Sequence, residues 1–173
     1  LLASLGRIER LYASDAGAAD RMLDALIRFL REAIPLLRRQ HSTVADEHRL
    51  LHEYLGVTGT GASDALIANV DLGSRTVAMP PGLLLSLAQK VIDAAPECEP
   101  RFELATTRTG GIVTVDLSAT VDPCVPLDAL QEATAQACRR LAMSNGAGGS
   151  VTILRGAPGR LTLRIALIDH RGD

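Results

Sequence analysis

The chain has 173 residues, a formal charge of -2 and a pI near 6.1, and 47% of it is apolar, enough for one well-cored domain or a small domain with a helical extension. Only 2% of the residues are aromatic, which leaves no stacking platforms for single-stranded nucleic acid, and the slightly acidic balance offers nothing to a phosphate backbone. A protein partner is favoured over a nucleic acid.

Cys98, Cys124 and Cys138 are odd in number and widely spaced, so reduced structural thiols are expected rather than a zinc or redox pair. No apolar run approaches the roughly 20 residues that span a bilayer. The opening Leu1-Leu2-Ala3-Ser4-Leu5 is already apolar at helical spacing without a Met or a cap, and is expected to continue a longer chain.

Two helical stretches come first, the second capped by Ser14 or Asp15. Met22, Leu23, Leu26, Phe29, Leu30, Ala33 and Ile34 recur at steps of three and four, with Arg21, Arg28, Arg31 and Glu32 largely on the other side. That stripe, above all Met22, Leu26, Phe29 and Leu30, is too apolar for a lone hairpin in water and is expected to pack on a second copy as a four-helix bundle. Pro35 belongs near a bend or end. A third helix is predicted over 43–57 on Val44, Leu50, Leu51, Tyr54 and Leu55, and Gly59-Thr60-Gly61-Ala62-Ser63 reads as a junction. The domains are therefore placed at 1–57, a helical dimerisation segment, and 58–173.

The second domain is predicted to run strand (65–72), helix (83–95, after Pro80-Pro81), a hairpin (101–107 and 111–119), a long helix (127–144) and two closing strands (150–155 and 160–168) around Gly156-Ala157-Pro158-Gly159. Strands with helices gathered on one face make a two-layer α/β sandwich, and the whole chain an α+β protein.

Over most of its length this pattern resembles the LytS-like sensor histidine kinases. The apolar run of residues 1–8 resembles the continuation of that family's Pro-His-Phe helix. Glu47 stands seven residues before Tyr54-Leu55, Met79-Pro80-Pro81 precedes Leu83-Leu84-Leu85, and Arg140-Leu141 is followed by Gly146. The resemblance implies a dimeric helical hairpin followed by an ATPase domain of the histidine-kinase (Bergerat) type, with ATP and magnesium as the family's cofactors. The family's acceptor histidine would lie two residues before Leu1.

The family's chemistry is replaced at three boxes. Its adjacent Glu-Asn pair, acid and magnesium ligand, corresponds to Gln89 and Lys90; an amide takes no proton and an ammonium repels a cation. Its adenine-reading Asp-x-Gly-x-Gly corresponds to Ala119, Thr120 and Val121. Its phosphate-cradling glycines correspond to Gln131, Glu132, Ala133 and Thr134. No catalytic residue is therefore assigned, and neither ATP nor a metal is expected to bind in the ordinary way.

The resemblance implies a sensor core on the cytoplasmic side, reaching a membrane only through segments outside this chain. Its partners would be a second copy and a response regulator meeting the exposed side of residues 1–12 and the facing second helix. Arg7, Arg10, Ser14 and Arg21 are the polar residues available there, and a basic rim suits an acidic receiver pocket. The alternatives are a divergent active kinase that phosphorylates the upstream histidine, or a phosphotransferase that works without ATP.

His48 and His52, four apart beside Glu47 and Glu53, have metal-ligand spacing but no evident third ligand, and a charged helix face accounts for them better. His41, after Arg38 and Arg39, reads as part of a basic C-terminal turn rather than a phosphate acceptor. Gly146, Gly148 and Gly149 read as a helix stop rather than a phosphate loop. Lys90 is weighed as an anion contact and read instead as a lysine at the rim of a closed or empty pocket.

Overall fold

The computed structural model describes residues 2–58, 66–95, 100–121, 128–144, 149–156 and 159–169. Helices α1 (Leu2–Ser14) and α2 (Ala16–Leu37) meet at Asp15, which caps α2 by accepting the Ala18 amide at 2.9 Å. Then come β1 (Ser42–Thr43), α3 (Val44–Thr58), β2 (Leu66–Asn69), a short 3-10 turn (Leu72–Ser74) and β3 (Ala78–Met79). They are followed by α4 (Leu83–Ala94), β4 (Phe102–Thr109), β5 (Ile112–Thr120), α5 (Asp128–Met143), β6 (Gly149–Arg155) and β7 (Arg160–Ile168).

Five strands form one mixed sheet in the order β2-β4-β5-β7-β6, with β2 parallel to β4 and every other pair antiparallel. Alternation along the strands sends Phe102, Leu104, Val113, Val115, Leu117, Leu163 and Ile165 to one face, where they are buried against α3, α4 and α5. The opposite face mixes polar side chains with the exposed Ile67, Ile112, Leu154 and Ile168. There Arg164 forms a two-pronged pair with Asp116, 2.8 Å on each prong, and Ser118 bonds Thr162 at 2.8 Å.

The short ladder of β1 with β3, Ser42 opposite Met79, is absent from the sequence reading because two residues carry no periodicity. The proposed junction at residues 59–63 lies outside the described residues. A second core gathers Ile8, Met22, Leu26, Phe29 and Leu36 against Leu50 and Val57 of α3 and Leu85 of α4. Helix α3 thus feeds both cores, giving Val44, Leu51 and Leu55 to the one under the sheet.

Candidate functional site

Helix α4 is gripped at its N-terminus from two sides. Gly82 holds a left-handed conformation, φ 71°, that glycine adopts without strain, and its amide donates to Glu47 Oε1 at 2.6 Å. The Leu84 amide donates to Oε2 at 3.0 Å, and the Ser42 hydroxyl lies 2.8 Å from Oε1 and 3.0 Å from the Met79 carbonyl. These are the free amides of a first helical turn, where a carboxylate is favoured. On the other side Arg140 donates to the Pro81 carbonyl at 2.5 Å and to Ser86 Oγ at 3.4 Å.

Glu47 is fully buried, and burial pushes its carboxyl above the ordinary range against the lowering effect of Gly82, Ser42, Leu84 and Arg140. The sequence reading grouped Glu47 with a charged helix face, and the structure corrects that. The signal was available: Val44, Leu50 and Leu51, three and four residues away, place position 47 on the inward arc.

Adjacent Gln89 and Lys90 face different cavities. Gln89 lines a cleft of about 450 Å³ with Ser4, Arg7, Tyr54, Thr58 and Asp93. Lys90 lines a cavity of only about 60 Å³ between α4 and α5, with Ser86, Ala133, Gln136, Ala137 and Arg140. Ala119 and Val121 are buried, belong to the core under the sheet, and present no polar side chain. Gln131 and Ala133 lie within α5, Gln131 exposed and Ala133 buried; past its first residues the helix consumes its own amides.

The stripe on α2 is corrected. Met22, Leu26 and Phe29 are buried within their own chain, Phe29 stacking obliquely on Tyr54 with ring centroids 5.6 Å apart, so they offer no face to a second copy. Leu23, Leu30 and Ile34 of the stripe lie on a more exposed line, of which Leu23 and Leu30 still pack partly against the second core. Leu23, Ile27, Leu30, Ile34 and Leu37 alternate at steps of four and three; Ile27, Ile34 and Leu37 are 40%, 50% and 53% exposed, and Leu23 and Leu30 are half-buried. On α1, Leu5 and Tyr12, one heptad apart, are also exposed.

Arg7, Arg10 and Arg21 are exposed, but Arg7 donates to the Thr58 carbonyl at the end of α3 at 2.6 Å. His41 Nδ1 lies 3.4 Å from Ser144 Oγ. Among the described residues no group of three or more His, Cys, Asp or Glu could hold a metal ion, and no helix is long and apolar enough to cross a membrane. Cys138 is a free thiol whose sulfur accepts the Val151 amide at 3.2 Å; Cys98, Cys124, Gly146, Gly148 and His170 lie outside the described residues.

No protein-family model and no curated protein matches this chain. Solved structures do. The catalytic domain of histidine kinase ThkA superposes with a TM-score of 0.56 at 13% identity, covering 75% of this chain and 95% of that one. The fold is that of a histidine kinase catalytic domain. A bacterial phosphotransferase matches with a TM-score of 0.55 at 14% identity, covering 95% of this chain and 88% of that one. Histidine kinase ThkA in complex with the response regulator protein TrrA matches with a TM-score of 0.54 at 10% identity; the match covers 96% of this chain and 57% of that one.

Proposed function

We propose that this chain is the signalling core of a two-component sensor of LytS-like type, in which the ATPase-like domain is a regulatory, protein-binding platform rather than an ordinary ATP site. The cleft between α4 and α5 carries this reading. At about 60 Å³ it is several times smaller than the roughly 300–1,000 Å³ of pockets that take small organic ligands. Lys90 brings an ammonium to the position the resemblance gives to a magnesium ligand. Ala119 and Val121 bring apolar groups to the adenine position, and Gln131 and Ala133 bring regular helix to the phosphate position. ATP and magnesium do not fit these residues, and no chemical step is derived through them.

The sensor works as a dimer through its N-terminal helices. Its seam is the line Leu23, Ile27, Leu30, Ile34 and Leu37, with Ile at one heptad position and Leu at the other, a composition that favours pairing of helices. The response regulator docks beside it, where Arg10 and Arg21 are exposed, while Arg7 is engaged with Thr58. The complex of ThkA with TrrA supports a receiver partner for this fold.

Titrating the response regulator encoded with this sensor onto the chain tests the reading. Weak, salt-sensitive binding is expected, falling in the double variant Arg10→Glu/Arg21→Glu mainly through a slower association rate. Unchanged binding in that variant would move the partner surface to the sheet domain.

A further inference from the structure

The face of α3 away from α4 carries a second site. Ala45, His48, Arg49 and His52 of α3, with Ala68 and Val70 of β2 and its continuation and Arg75 after the 3-10 turn, line a groove of about 460 Å³. Its floor is apolar, and every ionisable side chain in its lining is basic. The nearest acids lie against Arg49 and His52 at the rim or are bonded within their own turns, and among the described residues none is paired with His48 or Arg75. Asp46 bonds Thr43 and faces Arg39 and Arg49, Glu32 faces Arg49, Glu53 lies between Arg28 and His52, and Asp71 bonds Ser74. His48 is half-buried, and among the described residues neither its ring nor the Arg75 guanidinium makes a hydrogen bond or an ion pair.

Arg75 stands beside the half-buried His48 with no acid among the described residues paired to either, and burial together with His52, Arg75 and Arg49 holds His48 below its ordinary range. A metal ion would add to the repulsion, so the histidine spacing does not serve one. A multiply charged anion relieves it: a guanidinium fork matches phosphate oxygens, and two imidazoles supply further donors. The volume and the alanine and valine floor leave room for a small organic group.

We propose that this groove binds a phosphate-bearing small molecule, with Arg75, His48 and His52 contacting the phosphate and Arg49 at its rim. The site is independent of the signalling reading and of the cleft between α4 and α5.

The probes are inorganic pyrophosphate and phenyl phosphate, with acetate as the carboxylate control, followed by nuclear magnetic resonance of the histidine rings of the full chain. Saturable shifts of the His48 and His52 rings are expected, weakened about tenfold or more by Arg75→Ala and by His48→Gln. Arg75→Lys, which keeps the charge and loses the fork, should fall between. Both positions are exposed or half-buried, and circular dichroism checks that the variants fold. No ring shifts at millimolar phosphate, equal binding of acetate, or binding unchanged in Arg75→Ala would each overturn the proposal.

Discussion

The Gly82 amide lies 2.6 Å from Glu47 Oε1, so the helix that carries Gln89 and Lys90 is fastened at its first turn to a buried carboxyl on α3. Removing that group leaves the Gly82 and Leu84 amides without acceptors in the interior. Glu47→Ala is expected to cost roughly 2–4 kcal/mol in urea unfolding. Glu47→Gln keeps one acceptor oxygen and should cost less. A loss under about 0.5 kcal/mol in the alanine variant would mean that the clamp contributes little to stability.

The same carboxyl sets a pH dependence. Its folded pKa is raised above the ordinary value of 4.5 because of burial, so the folded chain holds a proton that the unfolded chain has already released. The stability this contributes is fully present below the unfolded pKa and declines as pH rises through the folded one. Chemical denaturation across that window should show the decline in the natural chain and a shallower slope in Glu47→Gln. Equal slopes would assign the pH dependence to other groups.

The two faces of α2 are separable by substitution. Ile27→Asp with Ile34→Asp places charges on the open seam and should convert a dimer to monomers in light scattering while leaving the helical circular dichroism in place. Leu26→Asp with Phe29→Asp instead buries unpaired charge against α3 and α4 and should unfold the helical segment. A natural chain that is monomeric at high concentration would exclude the seam.

Much of the fold was legible because its elements are periodic. Asp15 does cap α2, and from residue 83 onward the predicted order of helices and strands agrees with the observed elements, whereas the strand predicted over 65–72 is shorter, Leu66–Asn69, and the 3-10 turn and β3 that follow it were not foreseen. What periodicity could not give was the partner of each apolar face. Met22, Leu26 and Phe29 read as a dimer stripe because nothing local shows that α3 folds back onto them; Leu23, Leu30 and Ile34 were merged into the same stripe, and Ile27 and Leu37 were not singled out. The site divided the same way. Gln89 and Lys90 were identified as neighbours in sequence, but adjacent helical positions point about 100° apart, so they open into different cavities. Glu47 was recognised by its spacing from Tyr54 and misplaced on a surface, since a buried acid is visible only once its donors, Gly82 and Leu84, are brought in from far along the chain.

The most direct test of the account is calorimetric titration of the chain with a non-hydrolysable ATP analogue and magnesium. The narrow cavity beside Lys90 and the apolar groups at Ala119 and Val121 predict no saturable heat at millimolar ligand. Micromolar, magnesium-dependent binding would contradict the account and make this chain a divergent but active kinase.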